Sequence, residues 1–175
     1  MIDVIKQFES VPAAYPDAPD DLSTAAAALD AVAIWARIEA YTAYRFTVRE
    51  MVWTLRGDGG DEFCPRLTPV VSCFAHVWVS GAWEAVTLQE GPFGLCLPTD
   101  GIYRITAQVG AGDVPAAVSE AFRRLAEYSA GIGSSADSFT AANDGESSFE
   151  RSGTWAARAI HNSGAADLLR PYRRV

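Results

Sequence analysis

The sequence is short of positive charge: 14 lysines and arginines stand against 22 aspartates and glutamates, a formal net charge of −8. Tight duplex binding rests on cations that displace condensed counterions, so an acidic body disfavours sequence-specific DNA binding and better suits a surface that DNA slides past. No run of about 18 uncharged apolar residues exists, and the opening Met1-Ile2-Asp3-Val4-Ile5-Lys6 has no basic region ahead of an apolar core. Neither a membrane span nor secretion is therefore expected. Cysteine is scarce and odd in number. Cys64, Cys73 and Cys96 include no pair at zinc-knuckle spacing, which predicts neither a disulfide framework nor a structural metal and points to reducing cytosol. The carboxylates are scattered without metal-ligand spacing, and His161 lies near no acid cluster.

What the chain does contain is enough apolar material, 49% of 175 residues, for one domain with a true core. Residues 1–19 read as a short helix followed by an extended arm in which Pro12, Pro16 and Pro19 alternate with acids and small residues. From Asp20 the pattern turns helical: Ser23 and Thr24 can cap a start, and Leu22, Leu29, Val32, Trp35 and Ile38 recur at helix spacing to about Tyr41. After Tyr44 the period becomes two. Phe46, Val48 and Val52 fall on one side and Arg45, Thr47, Arg49, Met51 and Trp53 on the other, until Gly57-Asp58-Gly59-Gly60-Asp61 breaks the strand. Further strands are predicted over 70–79, 82–88 and 102–109, with Ser80-Gly81 as a hairpin turn.

Asp113 and Pro115 open a second helix carrying Val118, Ala121, Phe122, Leu125 and Tyr128, with Gly131 and Gly133 as its stop. Residues 131–153 hold few aliphatics and read as a mobile linker, because little burial offsets their ordering entropy. The expected fold class is α+β: a helical body, made of two main helices plus N- and C-terminal helices, with a small antiparallel β insertion. The expected segments are 1–19 (N-terminal helix and proline-rich arm), 20–130 (helix, β insertion, helix), 131–153 (linker) and 154–175 (C-terminal docking segment).

Few constellations could carry chemistry. Cys73 and His76 would make a nucleophile and its base, yet residues three apart on a strand point to opposite faces, which favours a core role for both. The loop Gly91-Pro92-Phe93-Gly94-Leu95-Cys96-Leu97-Pro98 lacks the Lys-Ser/Thr ending of a phosphate loop and opens no helix, so it reads as a structured turn. Trp53, Phe74, Trp78, Trp83, Phe93 and Tyr103 fall on or beside the strands and could stack bases, as in single-strand binders. With Arg45, Arg49, Arg56, Arg66 and Arg104 as the region's main cations, core packing is the preferred use. No catalytic, cofactor-binding or metal residue is singled out, and an enzyme is not expected.

The cations gather instead at the end of the chain. In "WAARAIHNSGAADLLRPYRRV" Arg158, Arg170, Arg173 and Arg174 face a single acid, Asp167. Ala165, Ala166, Leu168 and Leu169 make a compact apolar face, Pro171 ends the helix, and Tyr172 with the arginines supplies interface anchors. Leu168, Leu169, Arg170, Tyr172, Arg173 and Arg174 are the candidate docking residues, on a linker long enough to reach a neighbour. The alternative is a terminal helix folded back to complete its own core.

The order of these parts resembles the head-tail connector, or adaptor, family of long-tailed phages and gene transfer agents. The likeness rests on "WARIEAYTAYRFTVREMVWTLRGDG" (Trp35 to Gly59), on "LPTDGIYRITAQVG" leading into "DVPAAVSEAFRRLAEYSA", with Val114-Pro115 opening the helix, and on the closing "SGAADLLRPYRRV". It implies a helical body with a β-rich insertion and a structural role in viral assembly. A homo-oligomeric ring, twelve-fold by this resemblance, would dock under the portal protein, extend the DNA channel and offer its far side to a stopper or other tail-proximal neck protein. It further implies a virion-neck location after synthesis in the bacterial host cytoplasm, DNA passing without specific binding, no cofactor and no membrane. The proline-rich arm and the long linker depart from shorter family members. Two other readings stay open: a different neck protein, stopper or tail terminator, and a small ligand-binding or enzymatic domain built around Cys73 and His76.

Overall fold

The computed structural model describes residues 1–138 and 157–173. By internal contacts the chain divides into two compact units, Met1–Tyr15 with Ala43–Gly112 and Pro16–Thr42 with Asp113–Val175.

The first unit is a β structure. Strands β1 (Asp3–Glu9), β2 (Arg49–Gly57), β4 (Val70–Val79), β5 (Ala82–Val86) and β8 (Gly101–Val109) form an antiparallel five-stranded sheet ordered β1-β2-β8-β4-β5. The two-residue strands β3 (Glu62–Phe63), β6 (Gln89–Glu90) and β7 (Leu95–Cys96) form a small second sheet ordered β3-β7-β6. The period of two in the sequence is a burial pattern: Met51, Trp53 and Leu55 of β2 and Tyr103, Ile105, Ala107 and Val109 of β8 all face a dry interior, while Glu50, Arg56 and Arg104 face solvent. Phe63 of β3, with Leu67 and Leu97 of the loops, closes that interior. Each large side chain removed from water here contributes about 1.5–3 kcal/mol.

The loops hold tight because few side chains fit them. A Cβ at Gly94 would run into the Phe63 carbonyl, so the Gly91–Pro98 loop can lie against β3 only with glycine there. Glu62 accepts from the Phe93 N–H at 2.6 Å, and the Tyr103 hydroxyl donates to the Thr99 carbonyl at 2.6 Å, pinning the loop over the core. Ser80 and Gly81 take left-handed φ values of 49° and 91°, as a two-residue hairpin turn between β4 and β5 demands.

The helical body with a small β insertion is overturned: a dominant five-stranded sheet plus the three-stranded sheet takes its place. Part of the reason lies at the N-terminus, where the expected helix is the edge strand β1. Val4, Ile5 and Phe8 imitate helical spacing because a bulge between Val4 and Lys6 leaves Ile5 extra. After the bulge, Gln7 and Glu9 align with core-facing Trp53 and Met51, and Lys6 and Phe8 align with outward Thr54 and Val52.

The second unit is helical: α1 (Thr24–Ala27), α2 (Ala31–Thr42), α3 (Ala116–Ser138), α4 (Ala159–Asn162), α5 (Ala165–Leu169) and a 3-10 turn, Arg170–Tyr172. The single helix expected from Asp20 is two, because Asp30 accepts from the Val32 N–H at 2.9 Å and restarts the helix. Ser23 caps α1 by accepting from the Ala26 N–H, and the Glu127 carboxylate of α3 takes both the Ser23 N–H, at 2.7 Å, and its hydroxyl, at 2.8 Å. Those bonds hold Glu127 below the usual carboxylate range. Trp35 and Phe122 are buried with ring centroids 4.9 Å apart. Helix α3 runs through Gly131 and Gly133 to Ser138, since a helical glycine costs only about 1 kcal/mol against alanine. Residues 139–153 of the expected linker lie outside the described residues.

Gly110 and Gly112 separate two sources of backbone constraint. Both have positive φ, 102° and 91°, but a Cβ at Gly110 would collide with the Thr47 carbonyl whereas Gly112 faces open space. Gly112→Ala should therefore cost about 1 kcal/mol in urea unfolding, and Gly110→Ala about 3 kcal/mol. Equal losses would contradict the packing described for Gly110.

Candidate functional site

The C-terminal segment is folded onto its own unit. Helix α5 packs on α3, and Ala165 and Leu169 are 0% exposed, with Ile160 of α4 buried beside them in the sequence. Gly164 makes the turn between α4 and α5 at φ 76°. Arg37 donates to the Ala157 carbonyl at 3.0 Å, and Asn162 donates to the Tyr128 hydroxyl at 3.1 Å. Tyr41 meets His161 edge-on at 5.6 Å and takes the Arg173 guanidinium over its ring at 5.0 Å. Of the candidate docking residues, Leu169 is thus interior, Leu168 and Tyr172 are half-buried, and Arg170 and Arg173 are exposed. Arg174 lies outside the described residues. On α3, Glu120 accepts from Arg123 and Arg124 at 2.7 Å each, and these bonds pull its carboxyl down to about 2.

A second cluster escaped the sequence reading. Glu9 of β1 accepts from Arg45 Nη2 at 2.9 Å and from Arg49 Nη1 at 3.1 Å, and the Tyr15 ring lies 5.4 Å from the Arg49 guanidinium. Arg45 and Arg49 are only 8% and 5% exposed. Burial alone would raise the Glu9 carboxyl, but the two guanidiniums outweigh it and hold it low. The signal was present, since both arginines share a side with Met51 and Trp53. Their partner was hidden by the helical reading of residues 1–9.

The aromatic residues divide. Trp53 and Tyr103 are core, as expected, but Phe74 is 67%, Trp78 43% and Phe93 79% exposed, and Trp83 is half-buried. Core packing is therefore the wrong reading for Phe74, Trp78 and Phe93. Strand alternation puts Phe74, His76 and Trp78 of β4 on the outer sheet face while Cys73, Ala75 and Val77 turn to the core.

Cys73 and His76 accordingly lie on opposite faces, although both border a hollow of about 390 Å³ with Thr87 and Leu88. Burial, with a smaller effect of Glu90, pushes the Cys73 thiol up. That is the reverse of an activated nucleophile. A hollow of about 470 Å³ between β1 and β3 is lined by Gln7, Trp53, Glu62, Cys64 and Arg66, and the Trp53 indole donates to Gln7 at 3.1 Å inside that set. Among the described residues no three His, Cys, Asp or Glu side chains converge as a metal site, and no helix is long and apolar enough to cross a membrane.

No protein-family model matches the chain, and no curated protein matches it. Solved structures do. A chain of the "Virion of native gene transfer agent (GTA) particle" aligns over 100% of this chain and 96% of its own length at 18% identity, with a TM-score of 0.51, a likeness of fold. A chain of the "Neck of native GTA particle computed with C12 symmetry" aligns over 89% of this chain and 85% of its own at 21% identity and a TM-score of 0.48. A chain of the "Neck of empty GTA particle computed with C6 symmetry" covers 100% and 96% at 18% identity, also with a TM-score of 0.48.

The Glu9 cluster sets a pH dependence. A carboxyl held below its unfolded value contributes stability that is present above about pH 4.3 and is lost as pH falls through the lower folded value. Glu9→Gln should destabilise the chain by about 2 kcal/mol at pH 7, the scale of charge-assisted bonds at a partly buried carboxylate, with the difference from wild type shrinking toward zero in acid. Chemical denaturation of both proteins across pH tests it; a pH-independent difference would show that the carboxylate charge is immaterial.

Proposed function

We propose that this protein is a structural component of a virion neck, the adaptor that forms a homo-oligomeric ring beneath the portal and extends the DNA channel. The observation that carries the reading is the fold likeness to a chain of a gene transfer agent virion, which spans the whole of this chain and nearly all of the other. The physical chemistry is compatible with it. A net charge of −8 keeps a passing duplex from being held by counterion release. The role needs binding faces and no reacting group.

The adaptor position, rather than that of stopper or tail terminator, is favoured by the basic end of an acidic chain. Arg170 and Arg173 are exposed beside half-buried Leu168 and Tyr172, and Arg174 follows in sequence. Apolar contacts flanked by cations form a buried anchor with a charged rim, suited to an acidic patch on the portal. Leu169, buried against its own unit, holds this end in shape rather than touching the portal itself.

Co-sedimentation of the purified chain with portal tests the reading. Arg170→Ala with Arg173→Ala and Arg174→Ala should weaken binding about tenfold at low salt and flatten its salt dependence, as rim charges do. Leu168→Asp should weaken it further with the fold intact. Leu169→Asp should instead melt the second unit, visible as lost near-UV circular dichroism. Undiminished portal binding by the triple-arginine variant would move the contact elsewhere, and a wild-type chain that ignores portal but joins a tail protein would favour the stopper.

A further inference from the structure

We propose that the outer face of the five-stranded sheet, around Trp78, Trp83 and Arg104, docks the proline-rich acidic arm of a second copy of this chain. The inference deepens the neck reading, and rests on it only for the ring that repeated docking would build.

The receiving surface is an open aromatic platform edged by cations. Trp78 of β4 and Trp83 of β5 sit directly opposite each other, ring centroids 5.0 Å apart at 64°. The Arg104 guanidinium lies 4.1 Å over the Trp83 ring. Phe74 continues the platform along β4, aligned with Thr106. The row that crosses the sheet at Arg104 runs Lys6, Thr54, Arg104, His76, Ala85 and contains no acid. The outward acids Asp3 and Glu50 lie beside other rows, aligned with Arg56 and Gln108.

The arm has the complementary chemistry. Residues 12–21 read Pro-Ala-Ala-Tyr-Pro-Asp-Ala-Pro-Asp-Asp, with Pro16-Asp17-Ala18-Pro19 spaced as a polyproline-type ligand. Prolines hold such a segment extended before it binds, so little ordering entropy remains to be lost, and aromatic clefts take up its rings. The arm forms neither helix nor strand, and Asp17 and Asp20 face solvent. It is held at its ends, by Tyr15 beneath Arg49 and by Asp21 at 3.8 Å from Arg123, and between them Pro16 and Pro19 are half-buried, each leaving part of its ring open. Between these ends the carboxylates can meet Arg104 and Lys6 of a neighbour while the prolines meet the indoles.

Placement favours a second copy. The arm leaves the sheet from β1, at one edge, and the tryptophan pair lies on β4 and β5, at the other. Four strand spacings, roughly 19 Å, separate those edges. A contact between unlike edges is heterologous, the kind that closes rings when the rotation per copy allows. Single-stranded nucleic acid would also stack on indoles, but a phosphate chain needs a continuous cationic track, and this chain carries a net charge of −8.

The test uses the full chain and a synthetic peptide of residues 10–22, following the indole N–H signals of the five tryptophans by NMR. The Trp78 and Trp83 signals should shift, with a dissociation constant on the order of 0.1–1 mM. Trp83→Ala in the chain, Arg104→Gln in the chain, or both Pro16→Ala and Pro19→Ala in the peptide should each weaken binding about tenfold, and salt should weaken it too. Arg104→Gln keeps the aromatic pair, so its effect is separable from a disturbed hairpin. Unmoved Trp78 and Trp83 signals, equal binding of the proline-free peptide, or tighter binding of an oligothymidylate would each overturn the proposal. Portal is absent from this titration. Peptide binding without portal binding would therefore sink only the neck reading, and portal binding without peptide binding only the docking site.

Discussion

One face of the five-stranded sheet is dry, and the register of its strands follows from that. Met51, Trp53, Leu55, Tyr103 and Ile105 are at most 1% exposed. Sliding β2 by one residue against β8 would turn Glu50, Arg56 and their neighbours into that interior and put the aromatics into water. Burial of these few side chains thereby decides where every outward residue points, including Phe74, Trp78 and Arg104. Phe63 of β3, with Leu67 and Leu97 of the loops, seals that first face, and on the second Phe74 and Trp78 stay exposed.

The same constraint explains the charges close to the core. Glu9, Arg45 and Arg49 gather where β1 meets β2, and the two buried guanidiniums are held there by the one carboxylate they share, which accepts charge-assisted bonds from both. The bulge at Ile5 is part of the device. Without the extra residue, Gln7 and Glu9 would face away from Trp53 and Met51, and the two arginines would lose their carboxylate. A local irregularity in an edge strand thus decides whether a long-range ion cluster can exist.

In the helical unit, capping groups rather than apolar period set the boundaries. Ser23 and Asp30 each stop one backbone segment and start another, and Glu127 reaches back to the first of them across the packing of α1 on α3. The chain's basic end lies on that framework through Ala165 and Leu169, leaving Leu168, Tyr172 and two arginines toward solvent or half so.

Local pattern was enough to place β4, β8, the Ser80-Gly81 hairpin and most of α2 and α3, because alternation and 3.6-residue spacing are consequences of which side chains can be buried by neighbours in sequence. The opposite facing of Cys73 and His76 came from the same arithmetic. What only the tertiary structure decided depended on partners distant along the chain. Residues 3–9 became a strand because β2 offered a free edge 40 or more residues away in sequence, with the Ser10 N–H donating to the Glu50 carbonyl to extend the pairing. Phe74 and Trp78 ended outward because their strand's other face won the core, and Leu169 ended inward because α3 lay beneath it. Periodicity tells which residues share a face; it carries no information on which face a distant element will cover, since that is settled by the total area removed from water.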